Sequence, residues 1–262
     1  MISAIRTAVL VLAALAVHEW AHVLAASYLG ARVEKIRPFL LGLSAKITGI
    51  ERLNAWERHA IYGAGALANG AVAAWAYTVS RLSYVGINWL DQLALFSLAL
   101  CLFNLLPVLP LDGGRIFQQF LSNRIGVLRA NRVMLRLGNI LGLALILLGL
   151  VQVVLYNYNI TLLCAGVYIR KRNKTLEPQL KLEFFRAMQG KSEQERARKM
   201  KIKTLQVPYS MPTKDALERL QLDYYIEFHL NEQNSVVTED ALLEYVLANN
   251  LCGVVGDVRV KG

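Results

Sequence analysis

Cysteine is nearly absent: Cys101, Cys164 and Cys252 are the only three in 262 residues, and no two are spaced as C-x-x-C. That argues against a disulfide framework or a thiolate metal site and fits a reduced, cytosol-facing environment. Histidine is scarce too, with 4 in the chain, so a pair at a meaningful spacing carries weight. Internal repeats and low-complexity tracts are missing. The basic surplus, 29 Lys+Arg against 19 Asp+Glu, comes without any RNA- or DNA-binding motif. Charge is also missing from several long apolar runs and crowds instead between Arg170 and Lys203. That distribution fits a membrane protein whose loops and tail face anionic lipid, not a DNA-binding domain.

What the chain has in quantity is apolar residues, 55% of the total, with a mean hydropathy of +0.36. A bilayer span needs about 20 mostly apolar residues. Five segments qualify or come close, near 5–29, 58–81, 90–110, 133–153 and 154–169, the last being short. Arg6 followed by an apolar core and Ala14-Leu15-Ala16 resembles a signal peptide, but the apolar run continues past it. Arg32, Lys35, Arg37, Lys46, Arg52 and Arg58 lie between the first two segments, and five arginines follow the third. The turns at 82–89 and 154–160 hold no Lys or Arg. Basic loops and basic tail then share the cytosolic side, with the N-terminus outside.

The first basic loop alternates partially between Ala31 and Thr48 and has Gly42 near its middle, which predicts a β-hairpin at the membrane face. Three parts follow: a membrane domain over 1–173, a charged helical linker over 174–203 that breaks near Gly190-Lys191-Ser192, and a small cytosolic α/β module over 204–262. The module's pattern predicts an extended Thr204–Val207, helix Thr213–Leu222, strand Tyr224–Leu230 and a turn at Asn231–Asn234. Helix Thr238–Asn249, with Thr238 as N-cap, and a final strand near Gly253–Val260 complete it.

Within the first apolar run stands AVHEWAHVL, residues 16–24. Two imidazoles and a carboxylate are costly where water is scarce, so they call for a function. Residues four apart share a helix face, which lets His18 and His22 hold one metal ion. Glu19 follows the first ligand and can take a proton from a water polarised by that metal. Neutral imidazole suits zinc, one ion per chain, and zinc brings the pKa of its water towards 7.

Two histidines leave a catalytic zinc one protein ligand short. His59 and His229 read as ordinary interfacial and strand residues. Asp112 is the better third ligand, in NLLPVLPLDGGR at 104–115. Pro107 and Pro110 interrupt helical hydrogen bonding, and Gly113-Gly114 permits unusual dihedrals, so an irregular backbone aims the carboxylate at the site.

H-E-x-x-H in one span and N-x-x-P-x-x-P-L-D-G-G in a later one resemble the site-2 protease family of intramembrane zinc metalloproteases. The resemblance implies that His18, His22 and Asp112 bind zinc and that Glu19 is the catalytic base. Gly65-Ala66-Leu67-Ala68-Asn69 resembles the family's G-P-x-x-N element, with Ala66 in place of the proline. There Asn69 would bind substrate or the developing oxyanion, or make a helix–helix hydrogen bond.

A membrane protease core with a cytosolic C-terminal module resembles the sporulation stage IV branch, which processes an inactive sigma-factor precursor. That implies a single cystathionine-β-synthase-type (CBS) unit over 204–262, an adenine nucleotide bound there, and pairing of two chains through the tails. The expected fold is a polytopic α-helical membrane protein of about five spans followed by this module. Its partners are a membrane-associated protein substrate and the bilayer, not nucleic acid. A metal-binding or transport protein would use the same ligands but gives Glu19 no task, and a catalytically silent scaffold leaves it unexplained.

Overall fold

The computed structural model describes residues 2–39, 42–50, 53–83, 88–155, 160–196, 201–231, 235–249 and 253–258. The chain divides into two compact units, Met1–Ile116 and Phe117–Gly262.

The first unit holds helix α1 (Ile2–Tyr28), the hairpin strands β1 (Arg32–Phe39) and β2 (Gly42–Thr48), and helices α2 (Ala55–Leu82) and α3 (Asn88–Asn104). Helix α1 is apolar nearly all round, so its orientation is set by small and polar residues. Ala14, His18 and Ala26 are buried in one stripe with the half-buried His22, while Val9, Leu12, Trp20 and Leu24 are exposed. Such an uncovered apolar surface belongs in lipid.

The predicted hairpin is present: β1 and β2 pair antiparallel from Arg32↔Thr48 to Phe39↔Gly42, with a bulge between Val33 and Lys35. Helix α2 starts at a capping box, in which Asn54 accepts from the Glu57 backbone N–H and Glu57 accepts from that of Asn54. Its buried stripe is Arg58, Ile61, Gly65, Asn69, Ala73 and Ala76, mostly small residues that let α1 and α3 come close. Helix α3 ends at Asn104, earlier than the predicted segment, because 105–111 turns through the proline-containing stretch. Helix α4 (Asp112–Ile125) then leads out of this unit.

The second unit contains α5 (Val127–Leu155) and α6 (Thr161–Arg196). They pack closely at Gly138, Gly142, Gly149 and Gly166, where an added Cβ would lie within 2.3–2.6 Å of the facing helix. Among the described residues two helices are long and apolar enough to cross a membrane, Ile5–Tyr28 and Val127–Leu155. Helices also cover the other three expected segments. However, α2 carries Glu57, Arg58 and Arg81, α3 has 17 residues, and of the fifth segment 156–159 lie outside the described residues while 161–169 begin α6.

One expectation for 174–203 is corrected. Helix α6 continues through Gly190-Lys191-Ser192 to Arg196 without the expected break, and it accommodates Pro178 in its interior. Its charged part also contributes to packing: Phe184, Ala187 and Met188 are buried in the core of the C-terminal module, alongside Val127 from α5. The apolar residues on one face of the charged helix are what sequence composition concealed.

The module runs β3 (Lys201–Val207), α7 (Thr213–Glu218), β4 (Tyr224–Leu230), β5 (Val236–Thr238) and α8 (Glu239–Asn249). Strand β3 pairs parallel to β4, and β4 antiparallel to β5. The core is Val207, Leu220, Ile226, Phe228, Val237 and Leu242 with the α6 residues. Strand β5 was hidden by its three-residue length. Thr238 ends it and also caps α8 through Ala241 N–H at 3.4 Å. The predicted turn is described only at Asn231, since 232–234 lie outside the described residues. The final strand does not form across 253–258. Val254 makes an isolated bridge to Pro212 and the chain turns through a 3-10 segment, Val255–Asp257.

Candidate metal centre

The centre lies within the first unit. Helix α1 brings His18 and His22 to one face, and Asp112 stands at the first position of α4. Asp112 Oδ2 lies 3.2 Å from His18 Nε2 and 3.2 Å from His22 Nε2, and the two Nε2 atoms are 3.2 Å apart. Among the described residues these three form the one group able to hold a metal ion. His59 lies on α2 and His229 on β4, where it faces Glu227 at 3.9 Å; neither joins the group.

Local structure explains the convergence. The Gly113-Gly114 pair does not serve unusual dihedrals, as the sequence suggested; neither glycine has a positive φ. Their need is steric. A Cβ on Gly113 would lie 2.2 Å from Leu105 O, and one on Gly114 2.3 Å from Val108 O. Only glycine lets the start of α4 seat against the 105–109 turn.

Gly65, the first residue of the element that resembles G-P-x-x-N, lets α2 approach the two imidazoles, a packing role the sequence did not show. A Cβ there would sit 2.4 Å from His22 Nε2 and 2.6 Å from His18 Cε1. Its neighbours on the α2 stripe supply polar partners. His22 Nδ1 donates to Ile61 O at 2.8 Å, and Asn69, fully buried, places its amide nitrogen 3.3 Å from His18 Nδ1. The small-residue run over 60–70 was the available signal for this close approach.

The donor set fits a cation. His22 commits its Nδ1 proton to Ile61, so neutral His22 turns the Nε2 lone pair towards Asp112. Asp112 Oδ2 is buried and has no hydrogen-bond partner by geometry, although both imidazoles stand at 3.2 Å. The His22 Nε2 lone pair facing the Asp112 carboxylate at that distance calls for positive charge between them. Ligands about 2.0–2.1 Å from a tetrahedral zinc lie about 3.3 Å apart, close to the spacing here. Glu19, half-buried on α1, lies within electrostatic range of His22, His18 and Asp112.

Comparison with known proteins agrees with this geometry. Residues 84–149 match the model of peptidase family M50, a segment that includes Asp112 but not the two histidines. A zinc metalloprotease of Methanocaldococcus jannaschii is 30% identical over 165 residues, covering 62% of this chain and 46% of that protein. Rip3 of Mycobacterium tuberculosis, named as a candidate zinc metalloprotease, is 39% identical over 153 residues, 56% of this chain and 39% of its own. The solved site-2 protease of Methanocaldococcus jannaschii superposes with a TM-score of 0.53 at 28% identity, over 64% of this chain and 75% of that one. The superposed fold and the matched segment are similar to those of site-2-type zinc metalloproteases. The chain spans less than half the length of the curated relatives it matches.

Proposed function

We propose that the chain is an intramembrane zinc metalloprotease that hydrolyses a peptide bond of a membrane-associated protein. The observation that carries this reading is the convergence of His18, His22 and Asp112, with Glu19 beside the first ligand. Zinc held by these three residues would polarise the scissile carbonyl and lower the pKa of the attacking water. Glu19 accepts that water's proton and returns it to the leaving amine. Asp112 holds its position through the glycine contacts of α4. The hairpin offers free strand edges to an unwound substrate segment, as in β-strand addition.

For the finer reading, the substrate is a membrane-associated sigma-factor precursor processed during sporulation, and 204–262 is one CBS-type unit facing the cytosol. The order β3-α7-β4-β5-α8 with its mixed sheet supports the unit. An adenine nucleotide bound there and pairing with a second chain's tail belong to the same proposal. Equilibrium dialysis with ATP and light scattering of the detergent-solubilised protein test those two points; no bound nucleotide and a monomer would remove them.

The test of the activity is co-expression with such a precursor. Wild type should release the shortened product, and Glu19→Gln should retain zinc while cleavage falls by at least about 10²–10⁴-fold, the usual contribution of a general base. Near-normal cleavage by that variant would sink the mechanism.

A further inference from the structure

Asn69, on α2, is fully buried beside the centre. Its Nδ2 faces His18 Nδ1 at 3.3 Å, while its Oδ1 is buried without a partner. In that orientation the amide donates to Nδ1, so neutral His18 carries its proton on Nε2, the nitrogen 3.2 Å from Asp112 Oδ2, without completing a hydrogen bond to it. That arrangement suits a metal-free centre. It cannot bind metal, because a ligand nitrogen must present a lone pair.

His22 shows what binding requires. Its Nδ1–H is held by the Ile61 carbonyl, which leaves Nε2 free. No backbone carbonyl does the same for His18 among the described residues. The one polar group at its Nδ1 is the Asn69 amide, whose oxygen and nitrogen exchange places by a half-turn about the last side-chain bond.

We propose that Asn69 is a positioning residue that selects the tautomer of His18. With Oδ1 turned to His18, it accepts the Nδ1–H, and Nε2 becomes a metal ligand equivalent to that of His22. Loading the centre and turning the amide are then one coupled event. This inference rests on the zinc-centre reading, and it assigns Asn69 an act on His18 and not on substrate.

The two roles separate by substitution. Asn69→Asp keeps an acceptor at His18 and removes every donor; Asn69→Leu keeps the size and removes both. Zinc affinity of the full-length protein in detergent, measured by chelator competition, is the first readout. The second is the visible spectrum of the cobalt-substituted protein, which reports the ligand field without turnover. Loss of an orienting partner typically lowers metal affinity by about 10–100-fold. Asn69→Leu should show that loss and an altered cobalt spectrum, whereas Asn69→Asp should match wild type in both. Should Asn69→Leu fail to accumulate, Asn69→Ala removes the acceptor without adding bulk and carries the same comparison. Unchanged zinc affinity in the acceptor-free variant, or an Asp variant as impaired as the Leu one, would overturn the proposal. A wild-type protein that binds neither metal would overturn the zinc-centre reading instead.

Discussion

A methyl group added at Gly65 would have nowhere to go, because its neighbours are two imidazole rings held on both sides. Overpacking of this kind costs about 1–3 kcal/mol. Gly65→Ala should therefore lower zinc content per chain at limiting zinc. Gly63→Ala, whose Cβ would meet nothing closer than 3.9 Å, should not, and elemental analysis of both purified variants decides it. Asp112→Ala should lower zinc content as well, while His59→Ala and His229→Ala leave it at the wild-type level. The ligands were legible in the sequence because their chemistry is rare in apolar surroundings and their spacing repeats the helix. The steric role of Gly65 and the Ile61 carbonyl were not, since the motif that contains Gly65 does not say what it packs against and a backbone oxygen leaves no mark in the sequence.

At the scale of elements, α4 is fixed at both ends. At its start, Gly114→Ala would drive a Cβ into the backbone of Val108 and Leu109, which cannot swing aside as a side chain could. The variant should displace Asp112 and lose zinc without any change to a ligand. Beyond its end, Gly126 has φ +88° and lies against Glu218 O, and Val127 N–H donates to Leu220 O at 2.8 Å. Nearby, Arg129 Nε donates to Glu218 Oε2 at 2.8 Å and Arg132 pairs with the other oxygen.

Burial pushes the Glu218 carboxyl up, but the Arg129 hydrogen bond and both guanidinium charges outweigh it and hold the group below the usual carboxylate range. A group depressed by folding stabilises the fold fully above its unfolded value and loses that stabilisation as pH falls through its folded value. Glu218→Gln should therefore weaken protection of the 213–230 amides at neutral pH by about 1 kcal/mol, the arginines being half exposed. The difference from wild type should vanish as pH drops below the ordinary carboxylate range, as hydrogen exchange across pH would show. No difference between the two proteins at neutral pH would mean that the pair contributes nothing. Elements with strong periodicity or clear caps were readable in the sequence, α1, α2, the hairpin and α8 among them. Strand β5 and the unbroken α6 depended on long-range packing that no local pattern encodes.

Across the whole molecule, the tail is built into its neighbours. Phe184 and Met188 of α6 and Val127 of α5 complete the module's core, so a chain ending near Lys201 exposes all three. That truncated protein should aggregate or lose α6 protection on purification, and gel filtration compares it with full length. A monodisperse truncated chain with unchanged protection would make the tail an appendage.

The centre has one more consequence. This chain has almost no cysteine with which to cross-link itself, yet His22 and Asp112, distant in sequence, meet at the same atoms. A cation among them closes that long segment as a disulfide would, but reversibly and by mass action. At free metal about 100 times the dissociation constant, it adds about 2.7 kcal/mol to the closed form. Chelation should therefore loosen α1 from α4 before it touches the second unit. By this linkage, lowering free metal should shorten the time the chain survives added protease, which limited proteolysis with and without chelator measures.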